Sequence, residues 1–257
     1  MAESFLPLLP RATGGAPAGA ATAGGVEVTV LAANLERGER DAAGLAAAVV
    51  AVDADVLLLC EHTAATREAL AAAGVAARWP HRSDAADEGY FGTLVASRHP
   101  IVAAERCDLG GRAGQVVDLD VDGVTVRVVP VHTQAPIFDH DVAVWHATVA
   151  ANAAVAADAP GPVVLGGDWN ATGGHRRFRR SLAAHGLVDA SAVRGHRWYP
   201  TWPVDSRALR LPVPPVLTLD HVVVRAGTEV LALDRLALPG SDHRGLRAVL
   251  RLPRRPA

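Results

Sequence analysis

Short runs of apolar, β-branched residues recur along the chain, and most are separated by turn-forming or polar residues. Alternating runs are typical of half-buried strands, and continuous apolar runs are typical of strands buried on both faces. The strands that these runs predict are Val26–Ala32, Val56–Cys60, Gly92–Ser97, Val116–Val121, Val124–Val131, Val163–Leu165, Leu219–Val224, Val230–Leu236 and Leu246–Leu250. The Asp122-Gly123 pair predicts a hairpin between the fourth and fifth of them.

Helical spacing of apolar residues appears between some of these runs. It predicts helices over Asp41–Val52, Thr63–Ala73, Asp139–Ala157 and Arg176–His185, with Thr63 as an N-cap. Because some strands are linked by hairpins and others by helices, we expect two mixed sheets packed face to face with helices outside. We expect one domain over residues 26–257, preceded by a flexible Ala/Gly/Pro-rich tail over residues 1–25.

Composition narrows the possible functions. Half of the 257 residues are hydrophobic and the net charge is −2, which argues against binding nucleic acid through overall charge. All 25 basic residues are arginine, which excludes Schiff-base chemistry and a P-loop lysine. The sequence has no membrane-spanning run and no signal peptide, so we expect a cytoplasmic monomer, with export or tethering of a longer chain left open. Cys60 and Cys107 are interpreted as free thiols, with a disulfide as the alternative.

Polar residues of the kinds used in phosphate chemistry stand at the edges of five apolar runs. They are Asn34, Glu61, His132, the pair Asp168 and Asn170, and the group Asp220, Asp242 and His243. Strands that end together would bring these side chains to one sheet edge. The sequence therefore predicts a hydrolase that uses a divalent metal, because Mg²⁺ prefers oxygen ligands.

Each of these residues also has a simpler interpretation. Glu61 alone could be a solvated strand end, Asn34 a turn residue, and His132 a surface histidine. Gly166 and Gly167 predict a sharp turn after a strand, from which Asp168 would activate water and Asn170 would donate to phosphate. The alternative for that segment is an Asx turn that caps the next helix.

The motifs together resemble the endonuclease/exonuclease/phosphatase superfamily, and in particular a bacterial branch of it. The matching pieces are Asn34, Glu61, the segment YFGTLVASRHPI, His132, GDWN, LDHVVV and SDH. The resemblance implies a DNase I-like four-layer α/β sandwich and Mg²⁺- or Mn²⁺-dependent cleavage of phosphoesters. Arg244 departs from the residue common after SDH, and the signatures of inositol 5-phosphatases are absent.

The resemblance also implies individual roles. Glu61 would be the main metal ligand, supported by Asn34, with Asp242 near the metal. Asp168 and Asn170 would act on the attacking water and the phosphate. His243, paired with Asp220, would contact the scissile phosphate opposite His132, for which Glu88 is a possible partner.

Candidates for substrate binding lie near these motifs. Arg244 and Arg176 could bind phosphate, and Trp198 and Trp202 could form an aromatic wall. The arginine run over residues 176–180 could instead be a solvated helix face, and the Trp/Pro-rich loop could simply be anchored to the core.

The expected function is therefore a phosphodiesterase or nuclease acting on a phosphate ester, with nucleic acid as one candidate substrate. The alternatives are a lipid or small-molecule phosphoesterase, a non-hydrolytic enzyme with the same metal site, and a non-catalytic binding module.

Overall fold

The protein was analysed as a computed structural model that describes residues 24–196, 198–204 and 214–254. Most of the predicted tail, and residues 205–213 of the Trp/Pro-rich loop, lie outside these ranges. The strands are β1 Val26–Asn34, β2 Val56–Cys60, β3 His81–Ala85, β4 Thr93–Ser97, β5 Ile101–Asp108, β6 Ala113–Val121, β7 Val124–His132, β8 Val163–Asp168, β9 Leu187–Asp189, β10 Asp220–Arg225, β11 Glu229–Ala237 and β12 Arg244–Leu252. The helices are α1 Ala42–Ala51, α2 Ala64–Ala72, α3 Val75–Arg78, α4 Asp139–Ala154, α5 Arg176–Ala184 and α6 Ala190–Val193, with a 3-10 turn at Glu36–Gly38.

The strands form two six-stranded mixed sheets of similar design. The first has the order β11-β12-β1-β2-β4-β3, and the second has the order β5-β6-β7-β8-β10-β9. In each sheet one parallel pair lies at the centre, β1 with β2 and β7 with β8, and the remaining neighbours are antiparallel. The predicted pair of mixed sheets is confirmed.

Three apolar clusters hold the layers together. The central cluster lies between the sheets and is rich in valine and leucine from both of them. A second cluster packs α1, α2 and α3 on the outer face of the first sheet around Trp79. A third packs α4 and α5 on the second sheet around Trp169 and Phe178. The order helix, sheet, sheet, helix is the four-layer sandwich, and the predicted fold class is confirmed.

The carboxyl ends of the parallel strands and the beginnings of β10 and β12 meet at one edge of the sandwich. In the first sheet Asn34 lies opposite Cys60, so Glu61 follows directly beside it. In the second sheet His132 is paired with Asp168, and Asp168 is paired with Asp220. Sheet register alone therefore brings together residues that lie far apart in the chain.

Gly166 and Gly167 do not form the predicted sharp turn, because both belong to β8. Glycine is required there by close packing. A Cβ on Gly167 would lie 2.1 Å from the Val131 carbonyl oxygen, and one on Gly166 would lie 2.9 Å from side-chain carbons of Ala32 and Leu58 in the facing sheet. Gly166 thus lets the two sheets approach closely just below Asp168, and Gly167 has a φ of 145° and fits against the neighbouring strand β7.

The sequence pattern missed β3, β5 and β9, which are all edge strands or next to an edge. Most residues of β3 and β5 are partly or fully exposed, so they carry no apolar alternation. Cys60 and Cys107 are free, as expected. Within the described residues, none of the helices combines the length and apolar character needed to cross a bilayer.

Candidate active site

Asn34 connects the two sheets at the polar edge. Its amide nitrogen donates to Glu61 Oε1 at 2.9 Å and to Asp168 Oδ2 at 3.3 Å. Its amide oxygen accepts the backbone N–H of Glu36 at 2.9 Å, which fixes the orientation of the amide group. Asn34 therefore acts on both carboxylates as a donor, although it had been predicted mainly as a support for Glu61.

His132 is held by the loop that carries Tyr90. Its Nδ1 donates to the Tyr90 carbonyl oxygen at 2.6 Å, so its Nε2 faces the site. That nitrogen lies 3.8 Å from both Glu61 Oε1 and Asp168 Oδ2. The suggested partner Glu88 is wrong, because its carboxylate accepts the backbone N–H of Ala64 instead. Glu88 thus accepts a backbone N–H in the first turn of α2, and the Tyr90 carbonyl group orients His132.

Asp220, His243 and Asp168 form a buried chain. His243 Nδ1 donates to Asp220 Oδ2 at 2.8 Å, and His243 Nε2 lies 3.7 Å from Asp168 Oδ2. Burial by itself lowers the pKa of His243, but the carboxylates of Asp220, Asp168 and Asp242 together raise it to about 10. His243 is therefore a cation at neutral pH, with a proton directed toward Asp168 and the site.

The carboxylates facing these imidazoles have too little positive charge around them. Burial raises the pKa of Glu61, and the opposing effects of His132 and Asn34 do not cancel it. Burial likewise raises the pKa of Asp168 despite His243 and His132. Asp220 Oδ1 is buried without a hydrogen-bond partner. A bound cation would compensate this surplus of acceptors.

Two of the site residues have strained backbones. Glu61 has φ of 53° and Asn170 has φ of 45°, in the left-handed region that side chains other than glycine rarely adopt. The Asn170 N–H donates to Asp168 Oδ1 at 2.8 Å, and its side-chain amide donates to the Thr133 carbonyl oxygen at 2.9 Å. Such strain is concentrated at functional sites, where the surroundings impose it.

The polar edge opens into a cleft of about 820 Å³. Its floor carries Glu61, His132, Asp168, Asn170 and His243. Its walls are mostly apolar or aromatic, formed by Tyr90, Phe91, Ala135, Pro136, Ile137, Trp202, Leu217 and Leu219, with Thr133, Gln134, Thr172 and His175 between them. Among the described residues, no arginine belongs to this lining.

The four predicted substrate-binding residues have different positions. Trp202 lines the cleft, and its Nε1 donates to Asp242 Oδ2 at 3.0 Å. Trp198 is exposed and donates to the Val216 carbonyl oxygen outside the lining. Arg176 is exposed on α5, next to the cleft residue His175. Arg244 is half-buried at the start of β12 and does not belong to the lining.

Several supporting residues escaped the sequence pattern. Glu36 is buried and accepts the Asp242 N–H at 2.8 Å and Arg40 Nη2 at 2.5 Å. Ser241 donates to the Asn34 carbonyl oxygen at 2.8 Å and thereby fixes the SDH turn. Thr201 Oγ1 accepts the N–H groups of Leu219 and Asp220 at 3.1 Å. Of these residues, only Glu36 could have been identified from the sequence, as a carboxylate two residues after Asn34.

Asp168, Asp220 and His243 are close enough to share an ion, since one ligand atom from each lies within 4.8 Å of the others. We consider this triplet a hydrogen-bonded chain, because its shortest polar contact is the bond from His243 Nδ1 to Asp220 Oδ2 at 2.8 Å, while His243 Nε2 lies 3.7 Å from Asp168 Oδ2. Glu61 presents a carboxylate to the cleft and has the hard oxygen chemistry that Mg²⁺ or Mn²⁺ requires. The predicted third ligand, Asp242, contacts Trp202 and lies 3.8 Å from His243 Nε2.

Comparison with known families and structures agrees with this geometry. The model of the endonuclease/exonuclease/phosphatase family matches residues 31–243, which span every site residue from Asn34 to His243. No curated protein sequence matches the chain significantly.

Solved structures share the fold at low sequence identity. An endonuclease/exonuclease/phosphatase protein from Beutenbergia cavernae DSM 12333 is 22% identical with a TM-score of 0.67, over 89% of this chain and 72% of that one. D. rerio TDP2 complexed with single strand DNA product is 13% identical with a TM-score of 0.69, over 88% of this chain and 99% of that one. Sphingomyelinase C from Streptomyces griseocarneus is 21% identical with a TM-score of 0.60, over 87% of this chain and 99% of that one.

Proposed function

The chain belongs to the endonuclease/exonuclease/phosphatase family and is a phosphoesterase by that membership; from this premise we propose a divalent-metal-dependent phosphodiesterase. The observation that carries the proposal is the arrangement around Asp168 Oδ2. Asn34 Nδ2, His132 Nε2 and His243 Nε2 approach this oxygen from three residues at 3.3, 3.8 and 3.7 Å, at the floor of an open cleft. Donors and a carboxylate so arranged suit attack by water on phosphorus.

We assign the cation, Mg²⁺ or Mn²⁺, to Glu61, with Asn34 orienting its carboxylate. The fit rests on the surplus of acceptors, since burial raises the pKa of both Glu61 and Asp168 and leaves Asp220 Oδ1 unpaired. When bound, the cation would supply positive charge to a phosphate oxygen in the transition state. Asp242, which contacts Trp202, stays a proposed neighbour of the cation.

The side chains have separate tasks in this proposal. Asp168 orients the attacking water and accepts its proton, and its Oδ1 is already fixed by the Asn170 N–H. Asn170 donates to a non-bridging phosphate oxygen, and His132 lies beside the phosphate on the side opposite His243. His243 carries a proton on Nε2, with which it first stabilises the developing charge and then protonates the leaving oxygen, while Asp220 holds its ring.

The test uses a small soluble diester, bis-p-nitrophenyl phosphate, with Mg²⁺, Mn²⁺ or EDTA. We expect hydrolysis that EDTA abolishes, and a loss of roughly 10²–10⁴-fold in Asp168→Asn. Asp158→Asn is the matched control, because Asp158 is an exposed aspartate that pairs with Arg127 and does not line the cleft. Full activity in Asp168→Asn, or hydrolysis indifferent to EDTA, would exclude this mechanism.

A further inference from the structure

Exposed apolar side chains gather at the mouth of the cleft. Nine large hydrophobic residues are exposed among the described residues, and six of them lie on two ridges beside the cleft. The first ridge consists of Tyr90, Ile137 and Phe138, and the second of Trp198, Val216 and Leu217. Large exposed apolar patches are uncommon on monomeric proteins and mark interaction surfaces.

Each ridge is attached to the catalytic floor. Tyr90 carries the carbonyl group that orients His132, and Ile137 and Tyr90 both line the cleft. On the other side Trp198 donates to the Val216 carbonyl oxygen, and Leu217 is bridged to the cleft residue Trp202. A surface that covers both ridges would therefore face the site.

We propose that the two ridges dock the protein onto a phospholipid bilayer surface, so that the phosphodiester of a membrane lipid enters the cleft. The inference rests on the proposed phosphodiesterase function and names its substrate class. Ile137, Val216 and Leu217 are aliphatic and offer no flat π-face on which a base could stack. Tyrosine and tryptophan, in contrast, are the aromatic residues enriched at the membrane interface.

Charges of both signs lie near the first ridge: Asp139 follows Phe138, Asp87 and Glu88 precede Tyr90, and two arginines pack against its aromatic side. Arg112 packs over the Phe91 ring, with its guanidinium carbon 5.0 Å from the ring centroid, and it donates to Gln134 Oε1 and to the Gly111 carbonyl oxygen. These partners are neutral, so the guanidinium charge remains available to lipid phosphates. Arg37 packs over Tyr90 in the same way, although it also pairs with Glu39.

The arginine run on α5 lies outside the cleft lining. Arg179 donates to the carbonyl oxygens of Gly173 and Gly174, and so stabilises the loop before its own helix. Arg177 lies 3.4 Å from His146 Nδ1. These partners are neutral, so the guanidinium charges remain on α5, but none of these arginines belongs to the cleft lining, although Arg176 is exposed beside it.

The first test measures docking without turnover. Vesicles of phosphatidylcholine and phosphatidylglycerol are sedimented with the protein in EDTA. We expect the wild type to bind and the double variant Phe138→Ser/Trp198→Ser to bind at least about tenfold more weakly, because it loses two large apolar side chains. Val102→Ser/Val193→Ser is the matched control, since both valines are exposed and neither lies on a ridge. Equal weakening in both variants, or no binding by the wild type, would overturn the proposal.

The second test separates docking from catalysis. Wild-type protein with Mg²⁺ is given vesicle lipid, a single-stranded oligonucleotide and bis-p-nitrophenyl phosphate. Release of a lipid headgroup that falls in the ridge variant supports the inference. Hydrolysis of the soluble ester without vesicle binding would overturn docking and leave the phosphodiesterase intact. Vesicle binding without hydrolysis of any ester would leave docking standing and contradict the phosphodiesterase. Oligonucleotide cleavage that falls in the ridge variant, with no vesicle binding, would assign the ridges to nucleic acid.

Discussion

Two buried aspartate–histidine pairs lie close together in this protein and differ in one respect. His243 donates from Nδ1 to Asp220 at 2.8 Å, and His221 donates from Nδ1 to Asp189 at the same distance. The second ring nitrogen of His221 contacts the Ala171 carbonyl oxygen at 2.8 Å. The second nitrogen of His243 faces Asp168 at 3.7 Å and borders the cleft.

The environment of the second ring nitrogen, Nε2, distinguishes the reactive pair from the structural one. Both nitrogens of His221 face acceptors, so this ring is an imidazolium that ties β9 to the loop after Asp168. Burial lowers the pKa of His221, but Asp189 outweighs it and raises that pKa. His243 also donates from Nδ1 to an aspartate, but its Nε2 proton remains available to a substrate.

The largest effect is expected from removing the reactive imidazole. His243→Gln keeps an amide that can donate to Asp220 but cannot exchange a proton at neutral pH. We expect kcat for bis-p-nitrophenyl phosphate to fall by roughly 10²–10⁴-fold. Circular dichroism and the thermal midpoint of the variant serve as the folding control. A folded His243→Gln with kcat near wild type would show that the two pairs do not differ in function.

A smaller change, now in stability, is expected from the structural pair. His221→Phe keeps a ring beside Phe178 but leaves the Asp189 carboxylate without its cation. We expect the free energy of unfolding in urea to fall by about 3 kcal/mol, near the lower end for a broken buried pair. Ser191 still donates to Asp189, which limits the loss.

A double variant checks that interpretation. Asp189→Asn/His221→Phe removes the uncompensated charge, and it should recover part of the lost stability. The kcat of the folded single variant should stay within about tenfold of wild type, because His221 does not line the cleft. A stability equal to wild type in His221→Phe would contradict the structural assignment.

The two pairs also show how far sequence reasoning reached: the family resemblance implied the pairing of Asp220 with His243, whereas the pairing of Asp189 with His221 was not predicted. The chain contains Asp220-His221 and Asp242-His243 as adjacent residues, yet neither adjacent pair bonds within itself. Asp220 pairs with His243, 23 residues later, because β10 and β12 begin at the same edge. Asp220 and His221 are neighbours in β10 and point to opposite faces, so Asp220 bonds His243 at the site and His221 packs against Phe178 of α5.

Buried strands and the polar residues at their ends were predictable because apolar runs mark them directly. Edge strands such as β3 and β5 were not, since exposure removes the alternation that identifies a strand. The role of Gly166 depends on the facing sheet and that of Gly167 on the neighbouring strand β7, and no local pattern encodes either contact. The imidazole orientations depend on backbone carbonyls such as that of Tyr90, and a carbonyl has no sequence signature.

The pH dependence sharpens the comparison further. The pKa of His243 is raised to about 10 from an unfolded value of about 6.5, so the folded state prefers the proton. The stability gained from this pair is fully present below about pH 6.5 and is lost as pH rises through about 10. If His243 acts as an acid, kcat should fall about tenfold per pH unit above about pH 10.

The titration is measured by ¹⁵N NMR of histidine-labelled, metal-free protein, and the resonance lost in His243→Gln identifies the ring. Because the pKa of His221 is also raised, the His221→Phe background removes the second candidate signal. A His243 ring that titrates near pH 6.5 would contradict the cationic assignment.

The smallest effect is expected at Asp242, the carboxylate adjacent to His243 in sequence. Its Oδ2 accepts Trp202 Nε1 at 3.0 Å, and its Oδ1 lies 3.8 Å from His243 Nε2. Asp242→Asn keeps an oxygen that can accept from Trp202 and removes only a weak charge contact, so we expect kcat to change by less than about tenfold. Asp220→Asn, which neutralises the carboxylate bonded to His243, should cost more than Asp242→Asn in the same assay. If Asp242→Asn were the more damaging variant and raised the Mg²⁺ concentration needed for half-maximal rate, Asp242 would be a metal ligand. The activity of His243 would then depend more on the metal held by Asp242 than on the hydrogen bond from His243 to Asp220.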